Sequence, residues 1–558
     1  MLRGPERNSL AGQQFDVLII GGGINGVAIA RECSMAGRRV LIVDQRDFAS
    51  GTTSRSTRII HGGLRYLEHG EIALVRESLR ERDRLLQQSP YLVKPLRFLL
   101  ALQGNQKSFT RSSQAIRAGL WLYHRWAGRP WRTARSAYGF ERQLDSGNPW
   151  SFYAYEDAQC EFPERMAAEW LRESIAAGAV ARNYTRLLQI EHRNGTATGV
   201  RLRDTLSSEE FRVSAAQIVN ATGPWVDSVA SAAGLDAQKM VGGIKGSHIV
   251  LPRFTGMPVE AFFTEAPDGR LIFVIPWNEQ ILVGTTEVAD SGNPEDARPT
   301  PEEVDYLMAG FQRFFPQSGL SHSDIRYSFS GVRPLPASPG KSAAAVTRKH
   351  IIHDHTPEGA AGLISIIGGK LTTAASLARE TARKLGLHVP EPGKVIGMAP
   401  AGEVEATLRQ WAHLVASKAG IPEANAQAIA AWHGRHAMAI ASTAAHDEAL
   451  RAPLCSHSHH IVAEAVEAIQ HECAVTLGDI LLRRVPVALG PCWSEACGSE
   501  AAHRIGHAMG WSEEKINREL EQFEEEREGF LHPSERNEAA SKTFETQRNR
   551  GSRGSFGS

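Results

Sequence analysis

The chain has 558 residues, 42% of them apolar and 22% charged, with 62 Lys plus Arg set against 62 Asp plus Glu. That length exceeds what one core can hold, so two or three domains are expected, and the even charge balance excludes a global basic field for nucleic acid. No apolar run approaches bilayer length, and none opens the chain as a signal peptide; a cytosolic protein without a spanning helix is the expectation.

The first ordered segment reads as a buried parallel strand, Phe15-Asp16-Val17-Leu18-Ile19-Ile20, running straight into Gly21-Gly22-Gly23-Ile24-Asn25-Gly26. These glycines fit G-x-G-x-x-G: a tight turn, a close approach to pyrophosphate, and a helix seated near the sheet. Small and helix-forming residues continue to Ala36, Gly37 stops them, and a second apolar strand ends in Asp44, where a carboxylate accepts from an adenosine ribose. Strand, glycines, helix, strand and acid in register predict a dinucleotide site. Ser50 to Thr57 follows, dense in hydroxyls that suit phosphate and ribityl groups. Next come Ile60–Glu71, with His61, Arg65 and Tyr66 beside a Gly-Gly pair, and an amphipathic helix over Ile72–Gln88.

From Leu85 to Phe140 there is no Asp or Glu, while Arg and Lys alternate with Trp121, Tyr123, Trp126 and Trp131. Such a stretch suits a membrane surface, and equally a basic flank that funnels an anionic substrate. A crossover helix is expected over Glu164–Ala177, then a strand meeting the turn Asn220-Ala221-Thr222-Gly223-Pro224-Trp225. Between Val241 and Val332 the texture is strands and turns, with Asn278-Glu279 as a hairpin connection. An apolar strand at Leu363–Ile367 then leads into Gly368-Gly369-Lys370-Leu371-Thr372-Thr373, a second glycine-opened helix start. Ala-rich helical sequence fills the region from about residue 395 to 530, and residues 533–558 read as a disordered polar tail.

The six cysteines are scattered and read as reduced thiols. Cys455-Ser456-His457-Ser458-His459-His460 carries metal-ligating residue types, but no second cluster at zinc-like spacing accompanies it in the sequence. An exposed polar loop is the reading, and no metal site is expected.

Taken together, GGGINGVAIA, the hydroxyl-rich loop, IHGGLRYLEH, VNATGPWVD, KGSHIVLP, FVIPW, VGTTE, SGVRPL and GGKLTT resemble the aerobic, FAD-dependent glycerol-3-phosphate dehydrogenase family, over roughly Phe15 to Ala375. The resemblance implies an α/β and α+β protein: a Rossmann-like FAD-binding domain (residues 14–90, 161–235 and 356–390), a D-amino-acid-oxidase-like antiparallel-sheet substrate domain (91–160 and 236–355), and a C-terminal helical domain (395–530). FAD would be held by Gly21, Gly23, Ile24, Asn25, Gly26, Asp44, Thr52, Thr53, Ser54, Ser56, Thr222, Gly223, Gly369, Lys370, Leu371 and Thr372. Glycerol 3-phosphate would be oxidised to dihydroxyacetone phosphate, with hydride passing to flavin N5 and electrons to a quinone. Its phosphate suits Arg65, Arg333 and Lys370, with Tyr66 beside them. His61 is the candidate base and His248 the runner-up; for each the structural alternative is a histidine that bonds backbone or simply faces the pocket. A peripheral location on the inner face of the cytoplasmic membrane is expected, a homodimer is left open, and no nucleic acid is expected. The alternatives are an oxygen-using glycerol-3-phosphate oxidase and a flavoenzyme of hydroxy or amino acids.

Overall fold

A computed structural model describes residues 10–103, 113–127, 150–235, 238–266, 268, 270–290, 292–338, 340, 346–390 and 401–533. Strand β1 (Gln14–Ile20) is the centre of the first sheet, because Val17, Leu18 and Ile19 are apolar on both faces and at most 2% exposed. It lies parallel between β2 (Val40–Val43) and Glu210–Asn220, and Leu363–Ile367 extends the sheet on the far side of the latter. A meander, Thr185–Arg193 and Thr196–Asp204, continues antiparallel from Glu210–Asn220. Helix α1 (Ile24–Met35), Pro163–Ala176 and Ala374–Lys384 cover one face through Val27, Ile29, Met166, Leu171 and Leu377.

The second sheet is mainly antiparallel. In order it runs His532–Pro533, Tyr327–Pro336, Val241–Pro252, Gln280–Gly284, Leu271–Trp277, Ala261–Glu265, Val93–Gln103, Trp150–Cys160 and Ile59–Ile60. Asn278 and Glu279 both take positive φ, 47° and 58°, and join two antiparallel strands as the expected hairpin. Helix Pro301–Phe314 closes one face, its Leu307 and Phe311 packing in one core with Leu99, Ile249 and Phe262, and is started by a Thr300–Glu303 capping box. The helical segments from Val462–His471 to Glu513–Phe530 share a further core with this sheet, through Phe98, Tyr155, Trp277, Val462 and Leu481, while Ala401–Ala419 packs its Ala412 and Val415 in a separate cluster.

Two expected boundaries shift. Ile351–Asp354 pairs with Leu363–Ile367, so the first sheet resumes before residue 356. Ile59–Ile60 belongs to the second sheet, because it pairs with Ala158 and Gln159. The polar tail lies outside the described residues, except that Pro533 ends an edge strand against Tyr327.

Candidate active site

Two cavities, of about 460 and 550 Å³, share Thr52, Arg55, Ser56, Pro334, Gly369, Lys370 and Leu371 in their walls. The first follows the glycine turn. Gly21, Gly23, Ile24, Asn25, Asp44, Thr52, Thr53, Ser56, Thr222, Gly223, Gly369, Lys370 and Leu371 all line it. A Cβ added to Gly26 would lie 1.8 Å from the Gly21 carbonyl oxygen, so this glycine serves helix packing behind the cavity. A Cβ on Gly23 would meet only Thr53 Oγ1, at 3.4 Å, which leaves the approach from the cavity open.

Asp44, at the end of β2, accepts from the Gly22 amide at 2.7 Å and from the Arg46 amide at 2.9 Å. Burial pushes its carboxyl up to about 6, against the pull of those two donors. Asn25 joins the two glycine segments: its Nδ2 donates to the Gly368 carbonyl at 3.3 Å, and its buried Oδ1 has no partner among the described residues. A buried acceptor of this kind, at a helix start beside Gly369 (φ 96°), fits a donor-bearing cofactor.

The hydroxyl-rich loop is wired differently from the expectation of direct cofactor donors. Thr53 Oγ1 accepts the Ile24 amide at 3.0 Å, Thr52 Oγ1 donates to the Val332 carbonyl at 2.8 Å, and Ser56 Oγ accepts the Arg58 amide at 3.2 Å. Ser54 lines neither cavity; its hydroxyl donates to the Ala49 carbonyl behind the loop. These short side chains first satisfy the loop's own backbone and so hold its shape. Thr222 likewise bonds Asn220 Oδ1, through its hydroxyl at 2.7 Å.

The second cavity gathers His61, Tyr66, His248, Arg333, Lys370 and Thr372. The side chain of Arg65 lies outside the described residues. The His61 amide donates to Thr372 Oγ1 at 3.1 Å, which fixes the histidine in the wall of the second cavity. Burial drops its imidazole to about 4, with Asp157 opposing. His248 is 1% exposed, stacks on Phe329 with centroids 4.9 Å apart, and shares a 2.9 Å hydrogen bond with Thr57 through Nε2. Its Nδ1 has no partner among the described residues. Burial and then Arg333 hold this ring well below its usual range, so it is neutral.

Arg333 donates to Thr285 Oγ1 at 2.7 Å and to the Thr286 carbonyl at 3.3 Å, its guanidinium filling the space above Gly246. Lys370 Nζ lies 4.2 Å from the Tyr66 ring centroid and 3.4 Å from Ser78 Oγ, and burial lowers its ammonium to about 7. Arg55, which sequence reasoning passed over within the hydroxyl run, lines both cavities; burial brings it down to about 10. Arg55, Arg333 and Lys370 thus line one cavity together with Glu71 and Glu287, and such a set of cations suits an anionic ligand.

The acid-free stretch divides. Tyr123 is core, not an interfacial anchor: it is 1% exposed, and its hydroxyl donates to the Asp157 carboxylate at 2.6 Å. Trp126 is half-buried under the Arg76 guanidinium, at 4.7 Å. Trp121 is 52% exposed, flanked by exposed Arg117 and Arg125 on the same face of helix Ser113–Trp126. Lys107, Arg111, Arg129, Arg132, Arg135 and Trp131 lie outside the described residues.

The loop over residues 455–460 is also more structured than an exposed turn. Cys455 and His460 are buried; His460 stacks on Trp432 at 3.6 Å and bonds Glu464 at 2.8 Å.

A parallel-sheet nucleotide site opening into a cation-lined pocket beneath an antiparallel sheet defines a dinucleotide-dependent oxidoreductase. Residues 16–384 match the FAD dependent oxidoreductase family, and residues 364–516 match the C-terminal domain of alpha-glycerophosphate oxidase. A glycerol-3-phosphate dehydrogenase of Synechocystis is 35% identical over 543 residues, covering 92% of this chain and 96% of that protein. A D-erythritol 1-phosphate dehydrogenase of Brucella abortus is 34% identical over 384 residues, covering 68% and 75%. In fold, the structure of the glycerol-3-phosphate dehydrogenase of Bacillus halodurans, complexed with FAD, matches 95% of this chain and 98% of its own, with TM-score 0.74 and 24% identity. The chain belongs to the FAD-dependent glycerol-3-phosphate dehydrogenase family, and its cofactor is FAD.

Proposed function

We propose that this enzyme oxidises glycerol 3-phosphate to dihydroxyacetone phosphate and hands the electrons to a quinone at a membrane surface. The observation that carries the substrate is the set of cations in the second cavity, Arg333 together with Arg55 and Lys370 on the wall it shares with the first. A phosphoester brings close to two negative charges to that cluster, and a guanidinium fork holds it bidentately. With its phosphate end fixed, the secondary alcohol is presented to His61, whose ring is neutral at physiological pH and takes the hydroxyl proton. His248, locked between Phe329 and Thr57, orients the carbinol from the sheet side. Bound FAD supplies the hydride acceptor. Asp44 and the glycine turn hold the adenosine end, and Gly369 with Lys370 lies along the wall shared with the substrate cavity.

The acceptor reading rests on Arg117, Trp121 and Arg125, spaced four residues apart on one exposed helical face. Such a face suits anionic headgroups through charge and a ring at the interface, and it supports the reading of a peripheral place on the inner face of the cytoplasmic membrane. Anaerobic addition of glycerol 3-phosphate to the yellow protein should bleach the flavin, while glycerol should not. Faster bleaching by D-erythritol 1-phosphate would reassign the substrate, and stoichiometric hydrogen peroxide in air would reassign the acceptor to oxygen. Cosedimentation with anionic vesicles tests the surface: Arg117→Glu with Trp121→Ala should leave the protein in the supernatant, and wild type that stays there at low salt removes the membrane reading.

A further inference from the structure

The chain fold brings Cys497, in the first turn of helix Glu495–Ala508, to the loop that carries Cys455 and His457. One ligand atom from each of the three lies within 4.8 Å of the other two. Cys497 Sγ is 3.6 Å from His457 Nδ1. Zinc bonds of about 2.3 Å to sulfur and 2.0–2.1 Å to nitrogen, at a tetrahedral angle, set sulfur and nitrogen about 3.6 Å apart. The spacing already present is therefore one edge of a zinc tetrahedron.

Two further features prepare the cluster. Ser494 caps the helix by accepting the Cys497 amide, and a thiolate at a helix N-terminus is favoured by the backbone dipoles. Cys492 turns back onto the same place, its carbonyl accepting from Cys497 Sγ at 3.5 Å, and its own thiol is exposed five residues earlier in the chain. We propose that Cys455, His457 and Cys497, completed by Cys492, bind one divalent zinc ion. Three sulfurs and an imidazole select a soft tetrahedral cation over calcium or magnesium.

The ion would join the loop before helix Val462–His471 to the start of Glu495–Ala508. The neighbouring Pro491 carbonyl accepts at 2.7 Å from Arg326, the residue that leads into strand Tyr327–Pro336, so the clamp sits where the helical domain meets the second sheet. Its role is structural, and the cluster lines neither of the two cavities.

Untagged full-length holoprotein, reduced, incubated with zinc and desalted, should retain a single zinc per chain by elemental mass spectrometry. Cobalt(II) in its place should give the strong visible bands of tetrahedral thiolate coordination, at wavelengths beyond flavin absorption. His457→Ala removes an exposed ligand without touching the core; it should lose most of the bound metal while keeping its flavin content. Cys455→Ser with Cys497→Ser should abolish the cobalt bands. No retained zinc in wild type, retention unchanged in His457→Ala, or a Cys455–Cys497 disulfide in the freshly purified protein each overturns the proposal.

Discussion

Lys370 Nζ rests 4.2 Å from the centroid of the Tyr66 ring, so the segment after Leu363–Ile367 meets the one after Ile59–Ile60 through a cation and a π face. The ring favours the charged amine while burial disfavours it, and burial prevails, bringing the ammonium to about 7. Between about 7 and the ordinary lysine value the folded site holds fewer protons than the unfolded chain, so an anionic ligand draws a proton in. kcat/KM for glycerol 3-phosphate should fall as pH rises through about 7, and the Lys370→Met variant should lose that limb. On the acid side, kcat/KM should hold until pH approaches about 4, where His61 gains its proton. Rate profiles of wild type, Lys370→Met and His61→Asn check both limbs.

Gly23 and Gly26 should separate cofactor binding from folding. Gly23→Ala adds a methyl that meets nothing in the protein closer than 3.4 Å, so the fold should survive while flavin is lost. Gly26→Ala drives a methyl to 1.8 Å from a backbone oxygen and should lower thermal stability even with flavin in excess. Flavin absorbance per chain and melting temperature distinguish the two.

Arg333→Lys keeps a charge but cannot hold Thr285, Thr286 and a phosphate together through one fork. Its kcat/KM should fall at least tenfold, a loss of about 1.4 kcal/mol in transition-state binding. Flavin occupancy should be unchanged, and a wild-type kcat/KM would remove Arg333 from the site.

Asp47 bonds Arg484 at 2.7 and 2.8 Å and also meets Arg483, with every partner buried. Burial alone would raise its carboxyl, but Arg484 and then Arg483 outweigh it and hold it down at about 2. A depressed folded value means stability that is complete above the unfolded pKa and is lost as pH falls toward 2. Asp47→Asn leaves the buried Arg484 guanidinium with no carboxylate among the described residues, only the Glu472 carbonyl, while Arg483 keeps Asp479 and Glu526, and should cost about 3–5 kcal/mol. Denaturant melts at neutral and acid pH should show the gap narrowing in acid.

The turn from β1 into α1 was legible because strand, glycines and acid are consecutive and each needs only its neighbours. Asn278-Glu279 was legible for the same reason. The roles within Ser50–Thr57 were not, because whether Thr53 faces a cofactor or caps Ile24 depends on where α1 lies. Arg55 was hidden among hydroxyls, and its place in both cavities is set by Gly331, against which its Cβ packs. Tyr123 looked like an interfacial ring until Asp157, on strand Trp150–Cys160, claimed its hydroxyl. Cys497 is separated from Cys455 by three helical segments and joins it only in three dimensions. Local chemistry was readable; partners supplied by distant segments were not.

The Asp47 latch also constrains the order of events during synthesis. Asp47 leaves the ribosome 436 and 437 residues ahead of Arg483 and Arg484. Until those arginines emerge, the loop beside the nucleotide site carries a carboxylate that cannot be buried without its counter-ions, and Leu363–Ile367 is absent from the sheet for most of that time. The nascent chain therefore displays its dinucleotide signature early but closes around the flavin only when the polypeptide is nearly complete. Chains terminated ahead of Arg483 should emerge colourless, cleared by proteolysis before they can divert cofactor from finished enzyme.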